Sequence, residues 1–201
     1  MNIRTILITV GAILIGVAAI LIGKQVYESR LPFQGSLIEP SPPAIDFSLE
    51  RANGNTYHLA ERKGQVVLIF FGYANCPDVC PSTLADFKTI HRELEDDAEK
   101  VDFVFITIDP ERDTQENIER YVSAFNSDFI GLSGGLEQLK AIWDGYWVFR
   151  EKQETETEAG YLMAHTSRVY AIDKFGKLRL TYPFGVSAAS MQSDVERLLA
   201  E

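Results

Sequence analysis

An α/β domain with an open sheet, carried behind one membrane-spanning helix, is the fold class this sequence predicts. Three observations predict it. Residues 5–23, TILITVGAILIGVAAILIG, carry no charge. A continuous apolar run, VVLIFFGY at 66–73, and a largely apolar one, VDFVFITID at 101–109, each lead into a stretch of helical periodicity. From residue 165 the chain alternates, turns, alternates again and closes on an amphipathic pattern.

At ~1.5 Å per residue the N-terminal run is ~28 Å long, close to the ~30 Å hydrocarbon core of a bilayer. A cleaved signal peptide has a shorter apolar region, ~7–15 residues, and a small-residue cleavage site. No such site precedes Lys24 and Gln25, so residues 1–24 are expected to remain as a single anchor. Arg4 lies before the run, Lys24 and Arg30 after it. The positive-inside rule therefore barely decides orientation, and the working arrangement puts the bulk of the chain outside the cytosol. Residues 25–45, with four prolines between 31 and 45, read as an extended tether. The folded domain is expected over 46–201.

Within it, Asn53-Gly54 between two short apolar-containing runs signals a hairpin over 47–59. Residues 66–73 and 101–109 read as strands buried on both faces. Leu84, Phe87 and Leu94 share one face of a helix expected from 82 to about 98. Asp113 with Glu116 has the spacing of a capping box before a second helix. A short helix is expected over 136–143. EKQETETEAG, 151–160, reads as a solvated loop between two strands. HTSRVYAID and KLRLTYPFG pair across a turn at 174–176, and a helix over 188–199 ends the chain. Strand, helix, strand, helix, hairpin, helix is the order of a thioredoxin-like fold, with the extra hairpins as insertions.

The chain has 201 residues, 46% of them hydrophobic, enough for one good core. Its net charge of −10 argues against nucleic acid as a partner, since that needs clustered cations. No period of 20–50 residues repeats, which sets solenoids aside.

The chemistry concentrates in NCPDVCP, residues 75–81, which holds the two cysteines of the chain, Cys76 and Cys80. In the predicted order this loop lies at the carboxyl end of a central strand, where open α/β sheets bind ligands. Pro81 suits a first helical position, making Cys80 the expected N-cap, and a thiol at a helix N-terminus is favoured as thiolate. Three readings compete. A structural disulfide would close a very small loop and constrain the unfolded chain little. Dithiol redox chemistry usually uses C-x-x-C, and here three residues intervene. A metal clip needs at least one further ligand.

The chain offers three histidines. His58 falls at an alternating hairpin position and His91 near the apolar face of a helix; both read as ordinary. His165 precedes the strand RVYAID, in the place that faces the dithiol loop in thioredoxin-like folds. Two thiolates and one imidazole form a soft, three-coordinate set. Cu(I) accepts three ligands, whereas iron–sulfur clusters and structural zinc normally take four. Catalytic zinc and metal-free redox remain open on this chemistry. A peroxiredoxin-like peroxidase fits poorly, because Tyr73 stands where that chemistry uses threonine.

FFGYANCPDVCPSTL, ITIDPERDTQENIERYVSAF, FIGLSGG and YLMAHTSRVYAIDKFGKL resemble the Sco/SenC proteins in order and spacing, from about residue 44 to 199. The resemblance implies a membrane-tethered, thioredoxin-like copper metallochaperone rather than an enzyme. It implies that Cys76, Cys80 and His165 bind one copper per chain, as Cu(I) and also as Cu(II), and that Cys76 and Cys80 can close as a redox-active disulfide. Cytochrome c oxidase subunit II is the implied partner, with an upstream copper donor or thiol reductant. The implied place is the inner membrane with the domain in the periplasm, or in the intermembrane space of a eukaryote. The alternative in another class is a thiol–disulfide oxidoreductase acting on the partner's copper-binding cysteines. Many relatives carry aspartate where this chain has Ala164. Asp78 and Asp109 are then the candidate carboxylates for orienting the imidazole. Asp109, Pro110, Arg112 and Asp113 match the family's D-P-x-R-D, read here as a strand end and a helix cap.

Overall fold

Residues 2–28, 32–154 and 160–201 are described in this computed structural model. The chain divides into two units, Met1–Phe33 and Gln34–Glu201. In the first, Ile3–Glu28 forms one α-helix, α1. Among the described residues, which omit several α1 side chains, no helix is long and apolar enough to cross a membrane.

The second unit opens with β1 (Ser36–Leu37), then the predicted hairpin, β2 (Ser48–Glu50) and β3 (Thr56–His58). Gly54 takes the positive φ of 81° that this turn requires. β4 (Val66–Gly72) leads to α2 (Val79–Glu93), β5 (Val101–Thr107), α3 (Gln115–Ser123), β6 (Ile130–Leu132) and α4 (Leu136–Gly145). A ribbon of β7 (Arg150–Glu154) and β8 (Tyr161–His165) follows. Then come β9 (Arg168–Ile172), β10 (Leu178–Pro183) and α5 (Ala188–Ala200).

Among the described residues the main sheet runs β1-β10-β9-β4-β5-β6, with β4, β5 and β6 parallel and β9, β10 and β1 antiparallel. This is the thioredoxin-like arrangement the element order predicts. Every residue of β4 and of β5 is buried, which is why β4 reads as an unbroken apolar run and β5 as one interrupted by Asp102 and Thr107. α2 packs with α5, and Phe87 of α2 meets Phe103 of β5 at 5.3 Å between ring centroids. The core thus fixes the β4–α2 junction, where the cysteines lie.

Several expectations need correction. Residues 34–45, assigned to the tether, belong to the sheet unit. Ser36 and Leu37 pair with Thr181 and Leu180, and the Gln34 and Gly35 amides donate to the Asp194 carboxylate. Proline-rich sequence signals extension, and an extended chain can also serve as a sheet edge. Residues 151–154 are strand rather than loop, because a ribbon exposed on both faces needs no apolar alternation. The rest of that expected loop, 155–159, lies outside the described residues. Thr114 rather than Asp113 caps α3, accepting from the Asn117 amide. The expected helix to 98 breaks at Leu94 into a 3-10 segment, Glu95–Lys100. β6, three residues long, was too short to announce itself by periodicity.

Candidate metal centre

Gly72 ends β4, and its carbonyl accepts from the Ile108 amide at 2.8 Å. From there the chain turns through Tyr73 into the cysteine loop, with the Cys76 amide donating to the Tyr73 carbonyl. α2 begins at Val79 with Asp78 as N-cap, so Cys80 is the second helical residue and not the cap. Pro81 is tolerated in this turn because the first N–H groups of a helix have no intrahelical partner. The Cys80 amide is one of those unpartnered donors, and it points to Cys76 Sγ at 3.4 Å. Cys76 sulfur therefore does what a capping oxygen normally does, at the positive end of the helix dipole.

Cys80 is fully buried and Cys76 half-buried, and both are free. Room for Cys80 exists because residue 72 is glycine. A Cβ there would sit 2.8 Å from Cys80 Sγ and 2.8 Å from the Phe105 ring.

His165 ends β8, rather than opening the next strand, and brings Nε2 to 4.0 Å from Cys80 Sγ. Its Nδ1 lies 3.1 Å from the Thr166 carbonyl. A carbonyl can only accept, so Nδ1 carries a proton, and Nε2 is the ring nitrogen that faces the sulfurs. The Phe70 and Tyr73 rings meet the imidazole edge-on, at 6.1 and 6.0 Å between centroids. Sγ of both cysteines and a ring nitrogen of His165 lie within 4.8 Å of one another. With typical bonds of ~2.0–2.3 Å, three donors around one ion stand ~3.5–4.0 Å apart, so only a small closure separates this site from coordination.

The two thiols are opposed in character. A hydrogen bond from Cys80, then those from His165 and the Asp78 and Cys80 amides, hold the Cys76 thiol down to about 4 against the effect of burial. Its hydrogen bond to Cys76, its burial and the Cys76 charge push Cys80 well above the ordinary thiol range. The free pair is thus one thiolate and one thiol, and an arriving cation would displace the remaining proton.

The two candidate carboxylates do not orient the imidazole. Asp78 is exposed at the helix start and makes no side-chain cap. Asp109 is buried and is engaged by Arg112 at 2.5 Å and by the Tyr161 hydroxyl at 2.9 Å. The Thr166 carbonyl takes the role sought in them. His58 bonds Ser48 at 2.8 Å. His91 faces Asp128 at 3.2 Å and packs on Phe103. Neither belongs to the cluster of Cys76, Cys80 and His165. Sequence reading missed Gly72 and Tyr73 as parts of the site. An isolated glycine in an apolar strand, a mark of close approach, was the available signal for the first.

A model of the SCO1/SenC family matches residues 37–200. An SCO2-like protein of Rickettsia prowazekii (strain Madrid E) is 31% identical over 193 residues, 92% of this chain and 89% of that protein. The mitochondrial SCO2 homolog of Homo sapiens is 32% identical over 157 residues, 77% of this chain and 59% of that protein. The structure of Bradyrhizobium japonicum ScoI with copper bound is 33% identical with a TM-score of 0.70, covering 78% of this chain and 99% of that one. Apo Sco1 of Thermus thermophilus is 34% identical with a TM-score of 0.69, covering 85% of this chain and 95% of that one. With the fold and the three donors, these matches make the chain a member of the SCO1/SenC family.

Proposed function

We propose that this chain is a membrane-anchored copper metallochaperone. Copper is its cargo, held by Cys76, Cys80 and His165 and passed to the dinuclear copper centre of cytochrome c oxidase subunit II. The observation that carries this reading is the convergence of three soft donors within 4.8 Å at the end of β4. Thiolates with one imidazole suit Cu(I) without a fourth ligand, and a half-buried Cys76 leaves one side open for ligand exchange. The copper-bound ScoI relative supports the choice of metal.

Exposed Leu7, Ile13, Leu14, Ile15 and Ile20 on α1 supply the apolar surface that lipid would cover. We assign α1 as the anchor, in the inner membrane with the domain on the periplasmic side, or facing the intermembrane space in a eukaryote. Retention in the membrane pellet after alkaline carbonate extraction tests the anchor.

Anaerobic Cu(I) titration of the full chain in detergent tests the site, beside Cys76→Ser, Cys80→Ser and His165→Ala. One ion per chain, weakened by each change, is expected. Full retention by His165→Ala would overturn the ligand set.

The low-lying, half-buried Cys76 thiol favours a second activity, reduction of the partner's cysteines. Cys76 thiolate attacks the partner disulfide and forms a mixed disulfide. Cys80 then displaces the second partner thiol and leaves a Cys76–Cys80 disulfide. An upstream dithiol must return the two electrons. A reductase should keep most of its exchange activity in His165→Ala, while a chaperone loses copper retention.

A further inference from the structure

The D-P-x-R-D segment does more than end a strand and cap a helix. The Asp113 carboxylate, 2% exposed, accepts from the Ala74 amide at 3.2 Å and from the Thr107 hydroxyl at 2.7 Å. Ala74 is two residues before Cys76, so this bond ties the cysteine loop to the end of β5. Four residues earlier the same segment grips the other half of the site. Asp109 accepts from the Tyr161 hydroxyl at 2.9 Å and from Arg112 at 2.5 Å. Arg112 also donates to the Tyr161 carbonyl at 3.0 Å and lies 3.5 Å from the centre of the Tyr161 ring. Tyr161 begins the strand that His165 ends.

Further contacts repeat the pattern. Arg150, directly opposite His165 in the ribbon, donates to the Ile108 carbonyl at 2.6 Å. The Met163 amide donates to the Tyr73 hydroxyl at 3.3 Å. Residues 107–113 therefore touch both the loop that carries the sulfurs and the ribbon that carries the imidazole. β7 itself, paired along its length with β8, is largely open to water.

We infer that Asp109, Arg112 and Asp113 form a clamp that sets the distance between the thiols and the imidazole. Asp113 positions the cysteine loop, and Asp109 with Arg112 positions the ribbon strand that ends at His165. All three are positioning residues, acting through Ala74 and Tyr161, and none donates to the metal. The clamp rests on the copper reading above for its purpose, but its geometry can be tested without metal.

The experiment uses the full chain in detergent with Arg112→Met, Arg112→Lys, Asp113→Ala and Asp113→Asn. Three quantities are measured: amide hydrogen exchange at 161–165, alkylation of Cys76 in the metal-free protein, and Cu(I) affinity by chelator competition. Arg112→Met should speed exchange at 161–165 by at least about tenfold while alkylation stays within about twofold. Its Cu(I) affinity should fall about tenfold, the low end for a residue that orients a ligand. Arg112→Lys keeps the charge but loses the planar fork, and should restore affinity only in part. Asp113→Ala should do the reverse, changing alkylation severalfold while exchange at 161–165 holds. Asp113→Asn, which can still accept from Ala74, should recover most of it.

Unchanged exchange and affinity in Arg112→Met would overturn the clamp. So would equal movement of both metal-free readouts in every variant, the mark of general loosening. Arg112 is partly exposed, so its variants decide the matter alone should Asp113→Ala fail to fold. A wild-type chain that takes up no Cu(I) would sink the copper reading, and exchange with alkylation would still judge the clamp.

Discussion

Cys80 is wholly out of water, set above Gly72 at the end of a strand whose seven residues are all buried. His165 ends a two-stranded ribbon whose other strand is exposed at four of its five positions. The sulfur is seated close over Gly72 of β4, in space that a Cβ there would invade, and the imidazole is held by a carbonyl, two ring edges and polar contacts to neighbours of its strand. Packing is unforgiving of volume changes, while a few surface polar contacts each carry about 1 kcal/mol. Changes on the cysteine side should therefore cost stability as well as metal. Changes on the histidine side should cost metal almost alone.

The sharpest way to break this contrast is Cys80→Ser. Losing the buried donor should weaken Cu(I) by more than ~100-fold, beyond the ~10–100-fold usual for residues around a ligand. Competition with a chromophoric Cu(I) chelator measures it, and a variant still within tenfold of wild type would place the metal elsewhere. His165→Ala comes next. A loss of ~10–100-fold in affinity is expected, with a thermal midpoint close to wild type, read by circular dichroism. An equal collapse of both would mean the ribbon is as deeply built in as the strand.

Gly72→Ala probes the packed side without touching a donor. A methyl group forced against Cys80 and Phe105 should cost ~1–3 kcal/mol, read as a lower urea midpoint. An unchanged midpoint would show that the sulfur has room to move.

The pH dependence of alkylation separates the two thiols more gently. With Cys76 held down to about 4, its thiolate persists on acidification. Its iodoacetamide rate should then stay nearly flat from about pH 8 to pH 6, where an ordinary thiol slows roughly tenfold per unit. Cys80, raised and buried, should remain unmodified throughout. Peptide mapping of the product decides it, and a rate that falls tenfold per unit would refute the polarised pair. The smallest change is Asp78→Asn. This exposed carboxylate caps nothing with its side chain, so stability should move within ~0.5 kcal/mol and copper affinity hardly at all.

The same contrast explains what could be read from the sequence. Buried strands announce themselves, because burial on both faces makes VVLIFFGY continuously apolar and VDFVFIT predominantly so. The cysteine loop and its helix followed from them, and with these came the order of the fold. The ribbon did not, since β7 is bare of apolar residues and looks like a loop. Nor did the edge strand at Ser36–Leu37, two residues long among prolines. The three donors were legible because their types are scarce in this chain. What turns the imidazole was not, because a backbone carbonyl leaves no trace in side-chain identity. The roles of Asp109 and Asp113 were hidden likewise: their partners, Tyr161 and Ala74, lie 52 and 39 residues away.

Gly72 contributes no atom to any metal bond, yet the sulfur above it decides what may stand there. A homologous chain that retains both cysteines and the histidine but bears a larger residue at this strand end has lost the seat of its innermost ligand. Inspecting that one chemically mute position should sort competent carriers from lookalikes before any metal is weighed out.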